Sequence, residues 1–370
     1  MSRTAILALV VVALIAVAFY ALLKGGEHTS TSVGTPSKVS KRVNLLGSGA
    51  TFPYPQLSVW ITEFHKKHPG IIISYNPTGS GTGQKQFFSK LVDFAASDPP
   101  VSKNRWQEWR GKFVQMPFIL GGVVVTYNVP EIGNREIKMD AETIALIYRG
   151  DIQYWDDPKI TSLNPGIKFP HKRIIAVHRS DSSGTTNIFT FFLHKAAPDT
   201  WPEELVGKII EWPVDKKGNG VGGRGNQGVA EILSSTKYSI GYVELAYALE
   251  GKMPVALVKN REGKFIKPSA ETITAAAAGA LSSLPDSPLG DFSNDLDAVI
   301  FAPGENSYPL ASFSHLLFYT EYDEGKLEAI KEFIKYINTD GQERIAPGYA
   351  PIPKQLRELN LKALDILKKS

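Results

Sequence analysis

Short apolar runs rich in β-branched residues alternate along this chain with segments whose apolar residues recur at helical spacing. Runs at 71–75, 121–127 and 174–177 are bounded by Pro, Gly or charged residues, which is typical of buried strands. Helical spacing is seen at 57–64 and 188–192. Because strands alternate with helices, the sequence predicts an α/β architecture with two mixed, mostly parallel sheets.

Length and composition exclude some classes of partner and of chemical site. The chain has 370 residues, and its 41 Lys and Arg face 37 Asp and Glu. Two of the basic residues, Arg3 and Lys24, lie in the first 26 residues, so the remainder is almost neutral and nucleic acid is not an expected partner. The absence of cysteine excludes disulfides, thiolate metal sites and a lipid-modified Cys.

The N-terminus carries an uninterrupted apolar run at 5–23. A helix needs about 20 such residues to cross a bilayer, so 1–26 are predicted to be a transmembrane anchor or a signal segment. Ala16-Val17-Ala18 offers a cleavage site, which leaves both interpretations open. Residues 27–42 are rich in Ser and Thr and predict a flexible tether.

Three loops of similar character each precede a helical segment. They are rich in Gly and hydroxyl residues and lie at 47–53, 78–83 and 179–186. Free backbone N–H groups and the positive end of the helix dipole favour an anion at such a position. A single loop of this kind is more often only a helix cap, but three of them, one with Arg179, favour a shared tetrahedral oxyanion. No Walker sequence is present, which disfavours a nucleotide.

Asp98 suggests which anion is bound. It follows the apolar run at 92–97, where open α/β sheets place their ligands. A carboxylate beside an anion is useful only if the anion keeps a proton to donate, as phosphate does at neutral pH and sulfate does not. The alternative is that Asp98 is only a turn residue before Pro99.

The chain resembles the phosphate-binding proteins of phosphate ABC transporters, which are periplasmic-type substrate-binding proteins. The resemblance extends from about residue 46 to about residue 356. The segments that carry it are GSGATFPYP, DFAASDPP, FILGGVVVTYNVP, IYRGDIQYWDDPKITSLNPG, HRSDSSGTT and IGYVELAYAL.

This resemblance implies the ligand contacts and the function. The phosphate-binding residues of the family fall on Thr51, Phe52, Ser80, Asp98, Arg179, Ser183, Gly184 and Thr185. Asp181 matches the acid that orients the binding Arg, and Arg179 is expected to supply the only full positive charge in the site. The implied function is high-affinity capture of inorganic phosphate outside the cytoplasm and its delivery to membrane permease subunits. The protein would be a monomer at the outer face of the membrane or in the periplasm, with no enzymatic activity, metal or cofactor.

The length of the body predicts two lobes, because typical domains have about 100 to 200 residues. Lobe one is predicted to comprise 43–123 and 313–370, and lobe two 124–312. The chain would cross between them at 121–128 and at 307–319, and hinge closure would complete the site.

Two other functions stay open as alternatives. A phosphate-ester hydrolase on the same scaffold would need a nucleophile or a metal cluster beside the loops, and the sequence shows neither. A binder of sulfate or molybdate is opposed mainly by Asp98. The G-x-G-x-x-G pattern at 220–225 is not expected to bind a dinucleotide, since no clear strand precedes it.

The apolar run at 5–23 is long enough to stay in the membrane as a single anchor. We therefore expect that detergent is needed to release the native protein from membranes. Sequencing of the mature N-terminus checks this interpretation: a chain that begins near Phe19 would show a cleaved signal instead.

Overall fold

The structure is a computed structural model that describes residues 42–370. The strands are β1 Val43–Gly49, β2 Ile71–Pro77, β3 Phe94–Ser97, β4 Phe113–Asn128, β5 Lys138–Met139, β6 Ile175–Arg179, β7 Gly220–Gly223, β8 Ser239–Glu244, β9 Leu257–Lys259, β10 Phe265–Ile266, β11 Ala311–Tyr319, β12 Glu321–Tyr322 and β13 Lys368–Lys369. The α-helices are α1 Tyr54–Lys67, α2 Ser80–Phe88, α3 Lys103–Glu108, α4 Ala141–Arg149, α5 Pro158–Leu163, α6 Gly184–Ala196, α7 Pro213–Lys216, α8 Gly225–Ser235, α9 Leu245–Glu250, α10 Ala270–Ala277, α11 Asp295–Val299, α12 Glu324–Asn338, α13 Lys354–Leu361 and α14 Ala363–Ile366. Three short 3₁₀ helices lie at Glu203–Leu205, Ala280–Ser283 and Asp340–Glu343.

Eight strands form one continuous mixed sheet in the order β2-β1-β3-β11-β4-β8-β6-β7. At one end β1 pairs in parallel with β2 and β3, and at the other end β6 pairs in parallel with β7 and β8. The central strands β11 and β4 pair antiparallel with their neighbours. The predicted parallel pairing therefore holds at the two ends, and the middle is antiparallel because the chain passes through it in both directions.

Strand β4 links the two halves of this sheet. Its residues 113–122 pair with β11, and its residues 123–128 pair with β8. Nearly the whole strand is buried, which explains why its sequence is mostly apolar. Strand β11 returns the chain in the opposite direction. The predicted crossover at 121–128 lies within β4, and the one at 307–319 comprises β11 and the four residues before it. The lobe boundaries at 123/124 and 312/313 stay a prediction.

Each half of the sheet is covered by helices through aromatic contacts. Phe64 of α1 packs on Phe333 of α12 with ring centroids 5.3 Å apart. In the other half, Phe189 of α6 stacks on Tyr242 of β8 at 4.2 Å. Each such pair adds roughly 0.5–1.5 kcal/mol beyond the burial of its surface. These contacts fix the helices, and therefore the loops at their N-termini, against the sheet.

The predictions for the N-terminus concern residues that the structure does not describe. These are the proposed anchor at 1–26 and the tether at 27–42, of which only Arg42 lies within the described residues. Within 42–370 no helix is both long enough and apolar enough to cross a membrane.

Candidate functional site

The N-terminal ends of four helices meet in one place. Three of them, α1, α2 and α6, follow the loops that the sequence identified, and the fourth is α8. Gly81 N–H donates to the carbonyl oxygen of Ser182 at 3.1 Å, which joins the α2 and α6 loops. Asn226 N–H donates to Thr51 Oγ1 at 3.2 Å, which joins α8 to the α1 loop. The positive ends of four helix dipoles therefore face a common point.

The sequence-predicted site residues lie together and are buried. The set comprises Thr51, Phe52, Ser80, Asp98, Arg179, Ser183, Gly184 and Thr185. The α2 and α6 ends approach so closely that a Cβ atom on Gly184 would lie 2.3 Å from Asp98 Oδ2 and 2.4 Å from Ser80 Oγ. The two halves of the sheet contribute these residues and are in contact at this point.

Asp98 is the acceptor in this group. It lies directly after β3, where Ser80 Oγ donates to Oδ2 at 3.2 Å and Ser314 Oγ donates to Oδ1 at 2.9 Å. Burial raises the pKa of Asp98 to about 7, although the two serine hydroxyls and the charges of Arg179 and His315 act in the opposite direction. The carboxylate retains unused lone pairs, so it can accept a further proton donor.

Arg179 is held in place by Asp181. Nε donates to Asp181 Oδ1 at 2.7 Å and Nη2 donates to Oδ2 at 2.6 Å. Burial by itself raises the pKa of Asp181, but the hydrogen bonds and charge of Arg179 outweigh it and hold that pKa below its usual range. Nη1 donates to Thr185 Oγ1 at 3.3 Å. One N–H on each of Nη1 and Nη2 is then left for an anion.

Three hydroxyl groups of the site have their acceptor positions in use. Thr51 Oγ1 accepts from the backbone and side-chain N–H groups of Asn226, at 3.2 and 3.0 Å. Thr185 Oγ1 accepts from Arg179 Nη1 and from Asn226 Nδ2, the latter at 3.0 Å. Ser183 Oγ accepts from Thr186 N–H at 3.0 Å and caps α6. Among residues 42–370 none of these hydroxyls donates to a protein acceptor, so each is free to donate to a ligand.

Free backbone donors complete the site. The N–H groups of Phe52, Gly184 and Thr185 have no backbone acceptor in the described part of the chain. Gly184 and Thr185 occupy the first turn of α6, where a helix leaves its N–H groups without partners. The arrangement can therefore surround a compact anion with donors on most sides and present the single Asp98 carboxylate on another.

Sequence reasoning missed Asn226 and Ser314. Asn226 Nδ2 bridges Thr51 and Thr185, while its Oδ1 accepts from Glu244 N–H at 2.9 Å. It lies immediately after the G-x-G-x-x-G pattern, where Gly225 has a φ of +70° and its N–H donates to Asp181 Oδ1. The glycine pattern at 220–225 could therefore have identified the position of Asn226 in the sequence. Ser314 lies on β11, far from Asp98 in sequence, and no local pattern identifies it.

A second cation lies beside the site. Lys208 Nζ donates to Gln84 Oε1 at 3.3 Å, and Gln84 Nε2 in turn donates to Ser97 Oγ, next to Asp98, at 2.8 Å. Burial lowers the pKa of Lys208. Ser183 N–H also donates to the carbonyl oxygen of Lys208 at 2.9 Å. The loop before α7 therefore contacts the N-terminal end of α6 through the Lys208 carbonyl oxygen and contacts α2 through the Lys208 side chain.

Two further side chains, His178 and Trp155, make structural contacts. His178 pairs with Asp215 at 2.8 Å and stacks on Trp212. Trp155 is buried and donates to Tyr238 O. Within residues 42–370, no group of three or more His, Asp or Glu side chains is placed to hold a metal ion.

Comparison with known proteins identifies the family. A family model described as "PBP superfamily domain" matches residues 25–340. The phosphate-binding protein PstS of Methanocaldococcus jannaschii is 42% identical over 357 residues, which cover 93% of this chain and 90% of the relative. The phosphate-binding protein PstS of Pasteurella multocida is 37% identical and covers 84% of this chain and 87% of the relative.

A solved structure agrees with the fold. A high-affinity periplasmic phosphate-binding protein, solved with bound phosphate, matches with a TM-score of 0.68 at 21% identity, covering 85% of this chain and 92% of that one. The predicted two-lobed, periplasmic-binding-protein type fold is confirmed. On the strength of the sequence identity and its coverage, this chain belongs to the PstS phosphate-binding proteins of the PBP superfamily.

Proposed function

We propose that this protein captures inorganic phosphate outside the cytoplasm and delivers it to the permease subunits of a phosphate ABC transporter. The observation that carries the proposal is the set of buried donors without acceptors that surrounds one carboxylate. The relatives quoted above are named for phosphate binding. The chain is a binding protein rather than an enzyme, and its ligand is phosphate without a cofactor.

The proposed contacts divide the ligand between the two lobes. Lobe one supplies Thr51, Phe52, Ser80 and Asp98, and lobe two supplies Arg179, Ser183, Gly184 and Thr185, with Asp181 orienting the guanidinium. Arg179 meets two ligand oxygens with the N–H groups that Asp181 leaves free. Because the contacts come from both lobes, ligand binding and lobe closure are coupled.

Asp98 gives the site its preference for phosphate. A protonated oxyanion donates its proton to the carboxylate, whereas sulfate would place an oxygen lone pair against it. The hydroxyl of Ser80 already donates to Asp98, so its proposed role is to hold this carboxylate in addition to lining the site. The sulfate-binding alternative is disfavoured on this ground, and the hydrolase alternative is not favoured by the relatives.

The location is part of the proposal. We infer that the body works at the outer face of the membrane or in the periplasm, either anchored by 1–26 or released after cleavage. All proposed contacts come from a single chain, so we expect a monomer to be sufficient. The permease subunits would take the ligand when the lobes separate.

The selectivity prediction concerns Asp98. The purified body from about residue 42 should bind phosphate at one site and sulfate at least about 100-fold more weakly, because a sulfate oxygen would face an acceptor. Asp98→Asn introduces an amide that can donate to sulfate, so the phosphate-to-sulfate ratio should fall more than phosphate affinity does. Calorimetric titration measures both. Asp199→Asn, which changes an exposed acid, serves as the control. A ratio that Asp98→Asn leaves unchanged would place Asp98 outside the site.

The second prediction concerns the buried cation. Arg179→Ala leaves the anion without its counter-charge, which costs about 2 to 5 kcal/mol, or about 30-fold to several thousand-fold in affinity. Asp181→Asn should cost less, because the arginine remains but is held less firmly. Arg224→Ala removes an exposed arginine near the site and should change affinity less than about twofold. Phosphate titration decides it, and a loss below about threefold for Arg179→Ala would mean that the anion is bound elsewhere.

The third prediction concerns closure. Gly184→Ala places a methyl group 2.3 Å from Asp98 Oδ2, so it should hinder the closed form while leaving each lobe folded. Overpacking of this kind costs about 1–3 kcal/mol, so phosphate affinity should fall about 5- to 150-fold. Small-angle scattering should show less compaction on phosphate addition than in the wild type.

The matched control for closure is Gly228→Ala. A Cβ atom there would lie 3.6 Å from its nearest neighbour, which is an ordinary contact. Its affinity and compaction should equal those of the wild type. Unchanged binding by Gly184→Ala would contradict the proposal that closure forms the site.

A further inference from the structure

Strand β11 presents two adjacent side chains to Asp98. Ser314 Oγ donates to Asp98 Oδ1 at 2.9 Å, and His315 Nδ1 lies 3.2 Å from the carbonyl oxygen of Asp98. Successive side chains of a regular strand point to opposite faces, but the pairing of β11 with β4 is irregular between Ser314 and His315. Such an irregularity re-aims a side chain. Both residues therefore contact Asp98, Ser314 at the carboxylate and His315 at the backbone carbonyl oxygen.

Both ring nitrogens of His315 face acceptors. Nδ1 faces the Asp98 carbonyl oxygen, which can only accept, and Nε2 contacts the carboxylate of Asp295 at the start of α11. Both side chains are buried. A neutral imidazole has one N–H, so two acceptors require either an imidazolium or a protonated Asp295. The imidazolium is the alternative that offers an N–H group on each ring nitrogen, one towards each acceptor.

The surroundings provide no other charge partner for Asp295. Within the described residues, neither carboxylate oxygen of Asp295 has a hydrogen-bond partner, and His315 Nε2 has none either, so the two side chains meet as an ion pair without an aligned hydrogen bond. The ring of Phe292 lies edge-on to His315, with the ring centroids 6.1 Å apart. With the proton on the imidazole, the two side chains form a buried ion pair whose cation is the member in contact with Asp98.

The charged and polar groups that act on Asp98 come from several elements. Ser80 of α2, Ser314 and His315 of β11, and Arg179 of β6 all favour its ionised form, while burial opposes it. Its negative charge in turn acts on four buried groups, which are Tyr75, Glu244, Tyr247 and Tyr349. Of the two groups whose positive charge acts on Asp98, Arg179 is already engaged by Asp181, so His315 is the one with no other role in the proposed site.

We propose that His315 is a buried imidazolium, held by Asp295, whose charge keeps Asp98 ionised and thereby sets the discrimination between phosphate and sulfate. His315 is a positioning residue and does not touch the ligand. The inference rests on the proposed phosphate site. Its consequence concerns sulfate, because sulfate can bind only when Asp98 carries a proton to donate. Sulfate affinity should therefore rise as the pH falls towards the pKa of Asp98, and removal of the cation should move that rise to higher pH.

The test is the pH profile of sulfate affinity, measured by calorimetry from pH 5.5 to 8.5. His315→Gln keeps an N–H for the Asp98 carbonyl oxygen but removes the charge. We expect its sulfate profile to lie about one pH unit above that of the wild type, so that near pH 8 sulfate binds about tenfold more tightly. Asp295→Asn should shift the profile in the same direction. His194→Gln replaces a histidine that contacts a backbone carbonyl oxygen outside the site, and it should shift nothing.

Phosphate affinity at pH 8.5 separates the two proposals. If the wild type binds no phosphate, the proposed function fails. If the wild type binds phosphate and the sulfate profiles of His315→Gln and Asp295→Asn coincide with it, or move to lower pH, this inference alone is overturned. Should His315→Gln not fold, ¹⁵N resonances of the imidazole in the wild type give the answer: two protonated ring nitrogens near pH 7 support the proposal, and a neutral ring contradicts it.

Discussion

A buried carboxylate at the proposed anion site is the constraint on which the rest of this site depends. Asp98 lies among donors, and burial alone would neutralise it. It is compatible with an anion only if a proton is shared between the two, so the carboxylate makes the ligand's protonation part of recognition. The surrounding groups then have one of two roles. Some keep Asp98 ionised, and the others donate hydrogen bonds to the remaining ligand oxygens.

The fold supplies those donors by bringing helix N-termini together. Strands β4 and β11 cross the middle of the sheet and connect two parallel ends, and the helices that follow the parallel strands begin near the crossing. Asn226 then uses the acceptor positions of Thr51 and Thr185, which leaves their protons for the ligand. A neutral amide thus determines the direction of two hydroxyl groups without touching the anion itself.

Much of the site could be predicted from the sequence, because its elements are local. Each of its recognisable features lies within a few consecutive residues. These features are the three loops that precede helices, Asp98 at the end of its strand, and the Arg179–Asp181 pair. Ser314 and His315 could not be found in this way, since Ser314 lies 216 positions from Asp98 and meets it only through the register of β11. The sequence predicts two mixed, mostly parallel sheets, whereas the structure joins them into one sheet through an antiparallel centre, because strand direction there depends on how the chain crosses between lobes.

The central claim is that one proton lies between Asp98 and the ligand, and neutron diffraction from crystals of the phosphate-bound protein tests it most directly. The account predicts a phosphate oxygen within hydrogen-bond distance of an Asp98 carboxylate oxygen, with a single proton between them, and two other phosphate oxygens at Nη1 and Nη2 of Arg179. A phosphate bound away from Asp98, or a carboxylate that contacts the ligand with no proton between the two oxygens, would contradict it.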